Sequence, residues 1–262
     1  MRIIVFDTET TSIDKPFCYN IGYVVYDTET EEVLAKRDFV VEQIWHNSPL
    51  FESAYYANKR PQYVLAMRGR QTIMDKYGYI QNKMARDIRE YNVQSAYAFN
   101  SPFDDKVFEF NSNYYHCKNA LDIIPVHDIR GYAIKFLADG NYKMFLDEHE
   151  DEIGADGKKK FITDSDGYKT TAESFYCYLI NNVTFDEAHT AINDSEIELA
   201  ILLECIKRGA KWETDYAVPR WLPRERVKHL TIKHDKQILF ETNFIKKVER
   251  KTADGISITL KV

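Results

Sequence analysis

Apolar runs and polar interruptions alternate along the N-terminal part of the chain in a way that predicts a sheet. Residues 3–6 form an unbroken apolar run followed by acids, which is typical of a short strand buried on both faces. Two further strand-like stretches, 21–26 and 33–40, flank a polar segment and predict a long hairpin. A mostly helical region follows at about 48–91, and 95–99 is again strand-like.

The middle of the chain mixes predicted helices with polar loops. Pro102 follows the last of these strands at a position suited to the first turn of a helix. Residues 121–137 predict another helix, and the charged segment 147–160 predicts a loop. An Asp-Gly pair within 160–169 predicts a small hairpin, and a plain turn explains its acidic residues better than a calcium loop does.

Helical spacing dominates the segment that leads to residue 209. Residues 170–181 predict a helix with aromatic side chains on one side, and the Thr-Phe-Asp-Glu sequence at 184–187 fits a capping box that opens a short helical turn. The strongest helix is predicted at 192–208, where apolar residues recur at helical spacing and Gly209 ends the pattern.

The composition and the hydrophobic pattern of the chain change near residue 212. A linker with tryptophans and prolines follows, and apolar residues alternate with polar ones over 256–262, which predicts a small antiparallel β unit. The predicted domains are therefore 1–210 and 211–262. The first carries 23 basic and 34 acidic residues and the second 12 and 7, so their net charges are −11 and +5. An acidic body argues against charge-driven coating of a duplex and suits a centre neutralised by a divalent metal.

Composition excludes several protein classes. The 262 residues are 44% apolar and 29% charged, with 10 glycines and 7 prolines, which excludes collagen-like, low-complexity and wholly disordered chains. No apolar run approaches the roughly 18 to 20 residues of a membrane span, and the N-terminus resembles neither a secretory signal nor a transit peptide. Four widely spaced cysteines are typical of free thiols in a reducing cytosol: Cys18, Cys117, Cys177 and Cys205. We therefore expect a globular, cytoplasmic protein with no membrane partner.

The first candidate for chemistry is a pair of acids at the end of the first strand. Asp7 and Glu9 are two residues apart, so in a strand both carboxylates point to the same face, about 7 Å apart along the chain. Such a pair favours a hard divalent cation, because two carboxylates at the mouth of a buried strand repel each other. The same tetrapeptide recurs at 27–30 in a polar turn, so the pair alone is a weak signal.

Two later segments supply further acids and a base. Asp104 follows the strand-like stretch 95–99 at the start of a helix, where its carboxylate can face the same sheet edge as the first pair. Capping of that helix by Asp104 or Asp105 is the alternative. Asp194 falls in the first turn of the strongest helix, with His189 five residues earlier. A base that titrates near neutral pH beside a metal-binding carboxylate suits deprotonation of water, although a lone histidine is more often structural or merely exposed.

Three ordered motifs resemble those of the DEDDh, or DnaQ-like, 3′-to-5′ exonucleases. They are D-x-E on the first strand, N-x-x-F-D after a later strand and H-x-A-x-x-D leading into the last core helix, and the resemblance covers about residues 1–208. The size and the tyrosine-rich texture are most similar to stand-alone phage or bacterial members. The resemblance implies an α/β, ribonuclease-H-like fold with a mixed five-stranded sheet flanked by helices, here followed by the small C-terminal β unit.

The resemblance also implies roles for individual residues. Four acids would bind two divalent cations, Mg²⁺ or Mn²⁺: Asp7, Glu9, Asp104 and Asp194. His189 would be the general base. The implied substrate contacts are Thr8, Thr10, Thr11, Asn100 and Phe103. Two positions depart from the family pattern, since Ser12 stands where a glycine is usual and the second motif begins Phe-Asn-Ser rather than His-Asn-Ala. Neither departure removes a metal ligand, but both concern how the 3′ nucleotide is bound.

The expected activity is removal of 5′-mononucleotides from the 3′ end of single-stranded nucleic acid, with DNA as the first choice. Two alternatives stay open. One is a 3′-to-5′ exoribonuclease that trims RNA, since nothing in the motifs reads the 2′-hydroxyl. The other is a catalytically silent nucleic-acid-binding module, docked to a replication or recombination protein through the C-terminal β unit.

Overall fold

A mixed sheet of six strands forms the centre of the molecule. The computed structural model describes residues 1–220 and 222–224, and the backbone of 227–231, 248–251 and 257–261. The strands of the central sheet are β1 Arg2–Thr10, β2 Cys18–Asp27, β3 Glu32–Val41, β4 Ile73–Asp75, β5 Ser95–Ala98 and β6 Val126–Asp128. Their spatial order is β4-β3-β2-β1-β5-β6. The strands β1, β2 and β3 are antiparallel neighbours, whereas β4, β5 and β6 each run parallel to the strand beside them. This is the ribonuclease-H-like arrangement, so the predicted fold class is confirmed, with six strands instead of five.

Helices cover both faces of this sheet. They are α1 Glu42–Trp45, α2 Ser48–Glu52, α3 Arg60–Arg68, α4 Tyr77–Glu90, α5 Ser101–Tyr114, α6 Ile129–Phe136, α7 Gly140–Glu148, α8 Ala172–Ile180 and α9 Ala191–Lys207. Apolar residues of α4 and α5 join one buried cluster, and those of α6 to α9 join another on the opposite face. Within the residues that the structure describes, no helix has the length and apolar character needed to cross a bilayer.

The alternation of side chains along β1 determines which face of the sheet carries the candidate site. Ile4 and Phe6 belong to the cluster under α4 and α5, whereas Ile3 and Val5 belong to the cluster under α6 and α9. Because successive side chains of a strand point to opposite faces, Asp7 and Glu9 continue the row of Ile3 and Val5. Their carboxylates therefore face the helix layer that contains α9.

Several elements differ from the sequence predictions. The strands β4 and β6, each of three residues, were not predicted. The helix predicted at 121–137 is wrong in its first part, where a 3-10 turn at Ala120–Ile123 is followed by β6. Pro125 explains this, since the residue before a proline avoids the helical region. The hairpin predicted within 160–169 is confirmed as a turn closed by a bridge between Ile162 and Tyr168.

The helical turn predicted at 184–187 is wrong. The segment is irregular, and the side chain of Asn182 accepts hydrogen bonds from both the backbone N–H and the hydroxyl of Thr184. A capping box does occur one helix earlier, where Thr171 and Ser174 exchange hydrogen bonds at the start of α8. The helices predicted at 170–181 and 192–208 are confirmed as α8 and α9.

The C-terminal part forms a separate small sheet. Its strands are β7 Val227–Thr231, β8 Val248–Lys251 and β9 Ser257–Lys261, in the antiparallel order β7-β9-β8. The predicted β unit is thus confirmed at the level of the backbone, whereas residues 256 and 262 of the predicted alternating pattern lie outside the described residues. The linker before it packs on the body, because Trp212 contacts Tyr97 edge-on and Tyr216 contacts Tyr132. The boundary between domains 1–210 and 211–262 stays a prediction.

Candidate metal and catalytic site

The acids at the end of β1 lie against buried neighbours. Glu9 is buried, and the hydroxyl of Tyr19 donates a hydrogen bond of 3.4 Å to its Oε2 atom. Asp7 pairs with Gly22 of β2 in the antiparallel ladder, two positions before Glu9 pairs with Asn20. Both acids therefore stand on the sheet face over which α9 begins.

Close packing between β2 and α9 brings Asp194 to these acids. The backbone N–H of Ala191 donates to Oδ1 of Asn20 (2.8 Å), and Ser195 Oγ donates to the carbonyl of Gly22 (3.1 Å). A Cβ atom on Gly22 would lie 2.2 Å from the backbone nitrogen of Ile192, so only glycine permits this approach. The first turn of α9, which carries Asp194, is thereby held against the end of the sheet.

Asp104 reaches the site from the other side of β1. It lies in the first turn of α5, whose N-cap Asn100 adopts a left-handed conformation with φ of 64°. The hydroxyl of Thr8 donates a 2.6 Å hydrogen bond to Oδ1 of Asp104. Asp104 is only 3% exposed, whereas Asp105 points outward. Of the two neighbouring acids, Asp104 is the one that faces the site.

His189 is held between an aromatic ring and a carboxylate. Its imidazole stacks on Tyr56 with ring centroids 4.0 Å apart and an interplanar angle of 14°. Its Nδ1 atom lies 3.8 Å from Oε2 of Glu187. Burial and the nearby Lys59 lower the pKa of His189, while Asp186 acts in the opposite direction. The imidazole is therefore neutral near pH 7 and can accept a proton.

Three of the predicted residues meet at one point. Potential ligand atoms of Glu9, His189 and Asp194 all lie within 4.8 Å of one another. Asp7 is adjacent, since its charge acts on Glu9 and Asp194 and on the more distant Asp104. The structure thus brings all five predicted site residues to one end of the sheet, with Asp104 at its margin.

Crowding and burial change the acidity of this cluster. Burial raises the pKa of Asp7 to about 7. Burial and then the charges of Asp7, Glu187 and Glu9 raise the pKa of Asp194 to about 10. The pKa of Glu9 is also raised well above its ordinary value, by burial and then by Asp7. Carboxylates that ionise only with such difficulty are stabilised in their charged form by a cation.

Two acids of the site were missed by sequence reasoning. Burial, followed by the charges of Glu173 and Asp7, raises the pKa of Glu187 to about 8. Glu198 is buried on α9 and accepts a 3.1 Å hydrogen bond from the backbone N–H of Phe99. Burial, together with Asp7 and Asp104, also raises the pKa of Glu198 well above its ordinary value.

The donor set fits hard divalent cations. Among the described residues, Oδ1 of Asp194 and Oε1 of Glu187 are buried without a hydrogen-bond partner. Buried polar atoms normally have a partner, so each of these oxygens has an unused lone pair that a bound cation would satisfy. Carboxylate oxygens are the ligands preferred by Mg²⁺ and Mn²⁺.

The expected substrate contacts fall into two groups. Thr8 and Thr11 are buried, and the Thr8 hydroxyl is engaged with Asp104. Thr10, Asn100 and Phe103 remain at least partly accessible. The backbone N–H of Asn100 donates to Asp128, which leaves the Asn100 side chain at the surface.

Comparisons with known proteins give a limited likeness. No protein-family model matches the chain, and no curated protein matches its sequence. A structure of E. coli Exonuclease I in complex with a dA16 oligonucleotide matches 78% of this chain at 14% identity with a TM-score of 0.44. A second structure of that protein, with a dT13 oligonucleotide, matches 79% at 12% identity with the same TM-score. The matched part covers about 40% of the Exonuclease I chain. The function proposed below therefore rests on the geometry of the site.

Proposed function

We propose that this protein is a metal-dependent 3′-to-5′ exonuclease of the DEDDh type, which acts on single-stranded nucleic acid with DNA as the first choice. The observation that carries the proposal is the convergence of Glu9, His189 and Asp194 within 4.8 Å, beside Asp7. The two motifs that supply these residues come from opposite ends of the predicted domain 1–210. Their meeting at one sheet edge is what a phosphodiesterase site of this type requires.

The acids of the cluster would hold the cations. Asp7, Glu9 and Asp194 form the inner group, and Asp104 completes the set from α5. Two divalent cations bound there would neutralise the scissile phosphate and lower the pKa of an attacking water. The chain itself contributes rigid positions, since β1 is paired on both sides and α9 is clamped to β2.

His189 acts as the general base. Its lowered pKa keeps the imidazole neutral near pH 7, so it can take a proton from the attacking water. Tyr56 fixes the plane of the ring, and Glu187 lies near Nδ1, which leaves Nε2 for the proton transfer. Departure of the 3′-terminal nucleotide as a 5′-monophosphate completes the proposed reaction.

The test follows degradation of 5′-labelled single-stranded DNA and RNA of equal sequence in Mg²⁺. We expect a ladder that shortens from the 3′ end with the wild type, and no turnover in excess EDTA. Asp194→Asn should lower the rate by at least about 100-fold, since it removes a metal-binding charge. The matched control is Glu196→Gln, which changes an exposed acid on the same helix whose partner is the surface Lys36.

The outcome of this assay decides between the classes of function. Full activity in EDTA, or equal rates for Asp194→Asn and Glu196→Gln, would remove the metal-dependent nuclease from consideration. Binding of the oligonucleotide without cleavage would support the alternative of a catalytically silent nucleic-acid-binding module. A higher rate on RNA than on DNA would select the exoribonuclease.

A further inference from the structure

A polar cavity of about 460 Å³ opens beside the candidate base. Its walls include Tyr55, Lys59, Gly154, Lys169 and His189. Its size lies within the range of about 300 to 1,000 Å³ found for small-ligand sites. A larger cavity of about 690 Å³ between α7, α8 and α9 contains none of the site residues in its wall. The smaller cavity, with His189 in its wall, can therefore receive the part of a substrate next to the reacting bond.

Charge alone does not define the ligand of this cavity. Three lysines and four carboxylates line it, so the wall is nearly neutral. Lys160 is used internally, because its ammonium pairs with Glu173 at 3.1 Å and donates to the carbonyl of Phe185. Lys59 and Lys169 have no ion-pair partner among the described residues and can each approach one phosphate. A nearly neutral wall attracts a polyanion weakly, so another interaction must supply most of the affinity.

Aromatic rings supply that interaction. Tyr55 is 76% exposed, and its ring meets Tyr56 edge-on with centroids 4.8 Å apart. Tyr56 in turn stacks on His189, so the three rings form a series that leads from the cavity to the base. An exposed tyrosine face offers a stacking surface that any nucleobase can use.

We infer that this cavity is a subsite for an unpaired nucleotide of the substrate strand next to the scissile bond, with its base on Tyr55 and its phosphates near Lys59 and Lys169. The inference rests on the proposed nuclease function. A base stacked within a duplex has no free face to offer Tyr55, so the subsite selects single strands. Gly154, Ala155 and Asp156 also line the cavity, which gives the segment 147–160 a role in this subsite.

The test measures binding without turnover. All variants are made in an Asp194→Asn background and titrated with a fluorescent single-stranded oligonucleotide of about ten nucleotides by anisotropy. Tyr55→Ala should raise the Kd by about tenfold, as loss of one base stack predicts, and Tyr55→Phe should stay within about twofold of the parent. The matched control is Tyr79→Ala, which removes a tyrosine of α4 that is 64% exposed and lines a different cavity.

A salt titration gives a second, independent measurement. Lys59→Gln should reduce the slope of log Kd against log salt by about 0.7, the value for one phosphate on a single strand. Lys118→Gln, at an exposed lysine outside the cavity, is the control.

Two outcomes would overturn the subsite. One is equal Kd values for Tyr55→Ala and Tyr79→Ala. The other is blunt duplex DNA that binds as tightly as the single strand and depends on Tyr55 to the same extent. Absence of cleavage in the earlier assay would overturn the nuclease alone, because the anisotropy result is independent of turnover.

Discussion

Glu187 and Tyr56 contact the imidazole of His189 on different sides, and Glu187 is not one of the four acids assigned to the cations. Glu187→Gln should lower kcat by about 10-fold to 100-fold with little change in KM, because it weakens the orientation of the base. Glu187→Asp should recover part of the loss, since it retains a carboxyl group. Steady-state kinetics of both variants, with thermal melts to compare folding, provide the measurement. A change confined to KM would show that Glu187 does not position the base.

Residue spacing predicted part of this site and missed the rest for physical reasons. The two-residue period of a strand places Asp7 and Glu9 together, and Asp104 and Asp194 stand in the first turns of predicted helices, where acids are common. Glu187 was misread, because a Thr-x-x-Glu sequence fits a capping box whether or not a helix follows. Glu198 could have been found, since it lies four residues after Asp194 and therefore on the same face of α9.

The contact between β2 and α9 is the element-scale feature on which the site depends. Gly22→Ala should lower the melting temperature by several degrees, because its Cβ would overlap the backbone of Ile192 and force α9 away. Activity should fall further than stability, since Asp194 would move with the helix. Gly140→Ala is the control, because a Cβ there meets nothing within 4 Å. Thermal melts and cleavage rates that are equal for the two variants would contradict the role given to Gly22.

Long periodic elements were predictable, whereas short strands were not. The hairpin of β2 and β3 and the helix α9 carry their patterns over many residues. The strands β4 and β6 have three residues each, and they exist because they pair with β3 and β5 at opposite edges of the sheet. Local sequence does not contain that partner, so no pattern within either segment distinguishes it from a loop.

At the scale of the whole molecule, the linker and the segment 147–160 are tied together. The guanidinium of Arg224 pairs with Asp147 at 2.7 Å, and also with Glu150 and Asp166. The same segment lines the cavity beside His189. Deletion of residues 213–262 would therefore disturb the cavity wall as well as remove the β unit. A docking role of the β unit is better tested by surface substitutions in it that keep Arg224 in place.

Several acids are buried close together, so the stability of the whole fold should depend on pH and on metal binding. In the folded protein the pKa of Asp7 is about 7, that of Glu187 about 8 and that of Asp194 about 10. These values exceed those of about 4 in an unfolded chain, so the folded state binds more protons. The acids are neutral in the folded protein at low pH. As the pH rises through their pKa values in the folded state, the free energy of unfolding decreases.

The metal-free melting temperature should therefore fall between about pH 5 and about pH 9. Mg²⁺ should oppose this fall, because it binds the ionised carboxylates and only in the folded state, so the melting temperature that it adds should grow with pH. Thermal melts in EDTA and in Mg²⁺ across this range provide the measurement. Asp7→Asn should flatten the metal-free slope, since it removes one titrating acid, whereas Glu196→Gln at the surface of α9 should leave it unchanged. A metal-free melting temperature that rises with pH would mean that these acids ionise freely and have no need of a cation.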